Sequence, residues 1–224
     1  MKKRVKTDST ILHFVIILTG LLYVFPQLYA NTLFFDNIFD FIGLFIVLTG
    51  TFLRMSGRAY KKSRSRKGDG LVVSGPYTIV RNPMYLGSFL MGAGFVLIVW
   101  PWWTLPIFVV LFYLRFQRQI VLEEEHLEKM FGESYKNYCR NVPRIFPDLT
   151  KARKMKFAEI FPFEELWTTQ EKNGLAFWPF WAVLLETFQE NVVFKHSNVN
   201  ATLQIFAVSM LFFALILLIL YKRK

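Results

Sequence analysis

Cysteine, histidine and acidic residues are scarce in this 224-residue chain. Its one cysteine, Cys139, cannot close an internal disulfide, and on the reducing side of a membrane, where it is expected to lie, it reads as a structural thiol. The three histidines, His13, His126 and His196, are far apart, and no residues show metal-ligand spacing, so no metal site is expected. No Ser or Cys stands in an arrangement with His that argues for nucleophilic catalysis, and the glycines do not follow a strand as a dinucleotide fingerprint requires. Internal repeats and low-complexity tracts are absent too. Only 16 Asp and Glu offset 27 Lys and Arg, leaving a net charge of +11. The basic residues lie between apolar stretches rather than on a water-facing surface with base-reading groups, which argues against nucleic acid as a partner.

What the chain has in abundance is apolar surface: 54% of its residues are hydrophobic and 18% aromatic, more than a soluble domain of this size can bury. Apolar windows occur at about 11–30, 38–56, 84–100, 104–122, 174–190 and 201–221. The last carries no charge and is followed by Lys222, Arg223 and Lys224, and it meets the roughly 20-residue length of a crossing. The first resembles a secretory signal, but Leu28 stands where a cleavage site needs a small residue, so it is expected to remain as a span. The expected fold is therefore all-α, a polytopic membrane bundle of about six transmembrane helices.

Charge placement orients that bundle. With the N-terminus inside, every Lys and Arg except Lys195 falls on the cytoplasmic side, which predicts cytoplasmic N- and C-termini for an integral membrane protein. The run from Lys61 to Lys67 reads as a solvated, lipid-facing surface. Glu186 interrupts the fifth window; a mid-bilayer carboxylate costs about 2.5–3.5 kcal/mol, so it is expected near the outer interface. The outer connections, such as Pro101-Trp102-Trp103, are short, whereas the inner segments 57–83 and 123–173 are long and polar, which places the chemistry inside.

Two inner segments hold the special residues. One runs Gly70-Leu71-Val72-Val73-Ser74-Gly75-Pro76-Tyr77, then Arg81-Asn82-Pro83-Met84-Tyr85-Leu86-Gly87; Gly75-Pro76 marks a turn and Pro83 suits a first helical turn. The other starts with Glu123-Glu124-Glu125, passes Phe131-Gly132, Tyr135 and Tyr138, and ends at Val142-Pro143-Arg144; it predicts a helix that leaves the membrane and breaks near Gly132. Taken singly, each feature has an ordinary reading: a solvated helix start for the glutamates, interfacial anchors for the tyrosines, a phosphate contact for Arg144, helix packing for Gly92-Ala93-Gly94.

Together, over about residues 60–147, they resemble the isoprenylcysteine carboxyl methyltransferase and phospholipid methyltransferase superfamily, whose pattern is G-x-Y, R-H-P-x-Y-x-G, then E-E and F-G-x-x-Y-x-x-Y-x-x-x-V-P-R. The resemblance implies transfer of a methyl group from S-adenosylmethionine to a lipid-like or isoprenoid acceptor. It implies that Glu123, with Glu124 beside it, meets the cofactor, that Leu71, Val72 and Tyr77 line the pocket, and that Asn82, Pro83, Met84 and Tyr85 form the turn over it. Asp69 stands where isoprenylcysteine members often have a His, and Asn82 also replaces a His. Isoprenylcysteine members usually carry an Arg four residues before the cofactor Glu; here that position is Gln119, with Arg118 adjacent, so Arg118, Gln119 and the motif residue Arg81 are the candidates for catalytic roles. His126 has a minor claim on the site.

The expected organisation is an N-terminal transmembrane hairpin over 1–56, a methyltransferase core over 57–150 and a C-terminal extension over 151–224 with one or two spans. The run Phe177-Trp178-Pro179-Phe180-Trp181 in the extension reads first as lipid contact. Two other functions fit parts of the pattern. A sterol-reductase-like enzyme using NADPH shares a similar proline turn and tyrosine-rich end. A transporter or scaffold would instead need buried polar pairs within the membrane, which the spans mostly lack.

Overall fold

The computed structural model describes residues 15–29, 33–65, 70–195 and 198–222, and among these every regular element is helical. The helices are α1 (Val15–Val24), α2 (Leu33–Arg64), α3 (Pro83–Val99), α4 (Leu105–Asn141), α5 (Leu149–Lys154), α6 (Phe157–Ile160), α7 (Phe163–Leu166), α8 (Gly174–Gln189) and α9 (Val199–Lys222). Short 3₁₀ turns join several of them, and one π-helical turn, Glu190–Phe194, closes α8.

Segments Phe35–Arg64, Trp102–Asn141 and Val199–Lys222 are each long and apolar enough to cross a bilayer; α1 and α3 are shorter apolar helices. The outward faces of α4 and α9 carry Ile107, Val110, Leu111 and Leu114, and Leu203, Val208, Leu211 and Leu215, all exposed. A soluble protein does not present apolar stripes of that length to water, so the chain is an integral membrane protein. Proline begins α3 and lies in the first turn of α4, while Lys61, Lys62 and Arg64 occupy the last turn of α2, where they complement the helix dipole. The end of the bundle marked by this last turn is called the basic end below.

Helices α2 and α3 approach closely along glycines spaced seven residues apart. A Cβ on Gly50 would stand 2.5 Å from the Gly87 carbonyl oxygen, and one on Gly43 would stand 2.8 Å from that of Gly94; the reverse additions, on Gly87 and Gly94, clash at 2.7 and 2.4 Å. Of the pair Gly92 and Gly94, only Gly94 serves this seam; Gly92 lies beneath the ring of Phe108 on α4. Around the seam one apolar core draws on residues from both halves of the chain but none from α4: Leu22 from α1, Leu44 and Met55 from α2, Ile98 from α3, Leu166 from α7, Ala182 from α8 and Phe206 from α9. Glu186, expected near the outer interface, is fully enclosed by protein.

After α4 the chain folds back over the basic end. Arg81 N–H donates to the Pro143 carbonyl (2.8 Å) and Asp148 N–H to that of Ile79 (2.9 Å); the Asp148 side chain then caps α5 by accepting from Thr150 and Lys151 N–H. The Ser56 and Tyr60 hydroxyls of α2 donate to the carbonyls of Ile160 and Glu159. Glu171 receives Arg54 at 3.1 Å and Arg58 at 3.2 Å. Burial alone would raise the Glu171 carboxyl, but hydrogen bonds and charge from the two arginines outweigh it and hold the group below the usual glutamate range. A depressed carboxylate contributes stability above its unfolded pKa, about 4.3, and that contribution vanishes as pH falls through the folded value. Glu171→Gln is therefore expected to lower stability at pH 7 by about 1 kcal/mol, the scale of partly exposed pairs, with the difference from wild type closing in acid below pH ~4. Thermal denaturation in detergent at the two pH values measures this.

Candidate active site

Residues 70–82 form a loop at the basic end whose shape depends on Gly75. Its φ of +64° lies in the left-handed region, and a Cβ there would sit 2.3 Å from the Tyr60 ring, so both conformation and space require glycine. The 3₁₀ turn Gly75–Thr78 that follows presents Tyr77, whose hydroxyl donates to the Gly57 carbonyl (3.3 Å) and whose own carbonyl accepts from the Tyr138 hydroxyl (2.7 Å). Across from this loop, α4 breaks at Gly132 (φ +53°, ψ −126°), as its sequence predicts, so that its last turns carry Tyr135 and Tyr138 back toward the loop. Burial, reinforced by the nearby Glu123 charge, pushes the Tyr77 phenol up to about 12. Burial raises Tyr135 and Tyr138 further, so at neutral pH all three are hydrogen-bonding walls rather than bases.

The first turn of α3 is locked to α4 by Glu124. That carboxylate is buried and accepts from Asn82 Nδ2 (3.2 Å) while pairing with Arg144 (2.6 Å) and Arg81 (3.4 Å). Arg81 also donates to Cys139 Sγ (2.8 Å), which gives the lone thiol a structural partner. Burial would lower the Arg81 guanidinium, but the Glu124 charge reverses the shift and keeps it fully cationic.

Glu123, one residue earlier, is exposed and held differently. Its Oε1 accepts from the Tyr85 hydroxyl (2.7 Å) and from Gln119 Nε2 (2.9 Å), and no hydrogen bond among the described residues reaches Oε2. It stands one helical turn before His126 and Leu127, which line a cavity of about 200 Å³ between the loop and α4. Leu71, Val72, Tyr77, Asn82, Tyr135 and Tyr138 are also in that lining, together with the cations Lys61 and Arg81. A second cavity of about 190 Å³, between α3 and α4, is walled by Leu86, Phe89, Phe112, Phe116 and Ile120, with Arg144 at its edge. Tyr85 sets its ring edge-on to Phe116 of that wall, at 5.6 Å.

The sequence candidates thus separate by position. Leu71, Val72, Tyr77, Arg81 and Asn82 surround the loop cavity, while Glu123 and Tyr85 meet outside its lining. Pro83 and Met84 pack against Gly57 on α2 and shape the turn from behind. Glu124 is engaged by cations, Gln119 positions Glu123, and Arg118 is exposed with no ion pair or hydrogen bond among the described residues. Asp69, His13 and His196 lie outside the described residues. The apolar cavity and the function of Arg144 as the Glu124 partner went unread from sequence, although Phe108, Phe112 and Phe116 at four-residue spacing form a visible aromatic stripe on α4.

A family model for phospholipid methyltransferases matches residues 16–134, more than half of the chain. Over 131 residues the chain is 28% identical to the protein-S-isoprenylcysteine O-methyltransferase of Schizosaccharomyces pombe, covering 55% of each protein. It is 38% identical over 82 residues to the methanethiol S-methyltransferase of Pseudomonas deceptionensis, covering 34% of this chain and 28% of that one. It is 37% identical over 83 residues to a Delta(14)-sterol reductase of Mus musculus, covering 36% and 20%. The chain spans about half the length, or less, of these curated relatives. No solved structure matches it. The matched segment runs from α1 through the proline turn and both glutamates to the break in α4, and on that extent the chain belongs to the phospholipid methyltransferase family.

Proposed function

We propose that this protein transfers a methyl group from S-adenosylmethionine to a lipid-like or isoprenoid acceptor, with the site and both termini on the cytoplasmic side. The observation that carries the reading is the Tyr85–Glu123 hydrogen bond, which ties the first turn of α3 to α4 beside residues of both cavities, Asn82 and His126 of the one and Leu86 and Phe116 of the other. The loop cavity fits a cofactor that bears an ammonium, a sulfonium and ribose hydroxyls: nearby Glu123 Oε2 takes no hydrogen bond among the described residues, Tyr77 and Tyr138 supply an aromatic wall, and Leu71 and Val72 an apolar one. The apolar side, lined by phenylalanines, fits an acceptor arriving from the bilayer.

The cofactor supplies an electrophilic methyl carbon, and its transfer is an in-line displacement. The chain's task is then placement and exclusion of water. Glu123, fixed by Tyr85 and Gln119, orients a cation; the neutral tyrosines hold the loop shut over it; Phe112 and Phe116 keep the acceptor side dry. Gln119 is committed to Glu123, so it leaves no free cation at the position where isoprenylcysteine members have Arg. That disfavours a carboxylate acceptor held from that position and favours a neutral or thiol group.

Titration calorimetry of the purified protein tests the reading. S-adenosylmethionine binding is expected to weaken by about 10–100-fold in Glu123→Gln, the range for a hydrogen bond to a charged group. Unchanged affinity would remove Glu123 from the site. The similarity to a sterol reductase gives the alternative its own readout, since binding of NADPH but not of S-adenosylmethionine selects that reading. Labelled methyl transfer into a native lipid extract then identifies the acceptor.

A further inference from the structure

At the end of the bundle opposite the candidate active site, two helices turn carboxylates toward one point. Asp36 and Asp40 stand one turn apart on α2; Glu186 and Glu190 stand one turn apart on α8 and its π-helical extension. One carboxylate oxygen each from Asp36, Asp40 and Glu186 lie within 4.8 Å of one another. Exposure is 5% for Asp36, 1% for Asp40, 0% for Glu186 and 6% for Glu190, and no Lys or Arg pairs with any of them among the described residues.

A second observation is independent of the charge cluster. The Gln189 side chain, 1% exposed, donates its amide N–H to Asp36, and its Oε1 takes no hydrogen bond among the described residues. Asp40 and Glu186 face each other, and among the described residues no other group satisfies Asp40 Oδ1, either Glu186 oxygen or the buried Tyr23 hydroxyl beside Glu186. Orphaned buried acceptors are individually costly, and folded proteins pair nearly all of them. Here several converge from two helices, and a single positive centre would satisfy them together. Glu190 is meanwhile held by Asn198 N–H and the Thr202 hydroxyl, each at 3.3 Å, which ties α9 to the same place.

We propose that Asp36, Asp40 and Glu186, with the Gln189 amide oxygen, bind a hard divalent cation of the Ca²⁺ class. The donors are all oxygen, with neither nitrogen nor sulfur, and three are anionic, the set that such cations select. The site does not touch the methyl-transfer machinery. Its consequence is mechanical: the ion clamps α2 to α8, and through Glu190 to α9, at the end where the glycine seam with α3 begins.

The test uses the full-length protein in detergent, stripped with a chelator and re-equilibrated with radioactive Ca²⁺ or Mg²⁺. About one Ca²⁺ per chain is expected, with a rise in melting temperature that the chelator reverses and that Mg²⁺ reproduces poorly. Asp40→Asn and Glu186→Gln should each weaken Ca²⁺ binding at least about tenfold, which corresponds to 1.4 kcal/mol. Gln189→Leu removes a ligand oxygen without altering charge, and a weaker but measurable loss in that variant keeps the test open if a carboxylate variant does not fold. Wild type that binds no Ca²⁺, with Glu186→Gln as stable as wild type or more so, would show that protons alone neutralise the cluster. Ca²⁺ binding unaffected by all three variants would place the ion elsewhere; either result overturns the proposal.

Discussion

Gly50→Leu is expected to destabilise the protein by about 3 kcal/mol, at the upper end of the usual cost of forcing atoms into a packed interior. The reason is what the new side chain meets. A Cβ at residue 50 lies 2.5 Å from a backbone oxygen of Gly87 and 2.9 Å from the backbone nitrogen of Met91, and backbone cannot swing aside as a side chain can. Relief requires α2 and α3 to separate, and the separation spreads to Gly43–Gly94 on the same seam. Gly20→Ala is the control. Nothing lies within 4 Å of its added Cβ, and alanine favours helix over glycine by up to about 1 kcal/mol, so this variant should be neutral or slightly stabilising. Melting of the two variants in the same detergent reads the contrast directly, and equal effects would mean that the seam does not hold the bundle.

Glu124→Ala should cost about 3–5 kcal/mol, because it strands a cation rather than merely removing a bond. The Arg81 side chain is only 15% exposed, and without Glu124 its charge keeps only Cys139 as a partner. Arg144 loses its 2.6 Å partner and Asn82 one of its two acceptors, so the turn that begins α3 comes free of α4. Its neighbour behaves oppositely: Glu123 is exposed, and Glu123→Ala should leave the stability within about 0.5 kcal/mol of wild type, the scale of exposed substitutions, while removing cofactor affinity. Two adjacent glutamates thus give opposite results in a stability assay and a binding assay. Loss of stability in both variants would contradict the division of labour between them.

Hydropathy made the helical membrane architecture legible before any coordinates, because apolar windows of crossing length admit few other interpretations. It said nothing about which face of a window meets protein and which meets lipid. The seven-residue recurrence of Gly43, Gly50 and Gly57 on α2, matched by Gly87 and Gly94 on α3, carried that information, yet an isolated Gly-x-Gly draws the eye first. In the site, Gly75, Gly132 and the two glutamates could be read from their pattern. That Glu124 is buried among Asn82, Arg81 and Arg144 while Glu123 is exposed and held by Tyr85 and Gln119 could not, since a one-residue step along α4 rotates a side chain to a different face. The enclosure of Asp36, Asp40 and Glu186 was hidden for a different reason: the chain positions involved are distant, and only packing of α8 on α2 unites them. The spans thus contain buried polar groups that their sequence scarcely advertises.

The fold-back of residues 148–171 over the basic end has a consequence for biosynthesis. Arg54, Ser56, Arg58 and Tyr60 find their partners at positions 159–171, more than 95 residues downstream. While the ribosome is still extending the chain, the basic end of α2 therefore has α3 and the 70–82 loop against it but none of these later partners, and the loop lacks its brace between Ile79 and Asp148. A nascent polypeptide halted at about residue 147 would hold every motif of the family yet leave that helix end unsealed, so competence to grip a methyl donor should mature only after the connecting stretch has emerged.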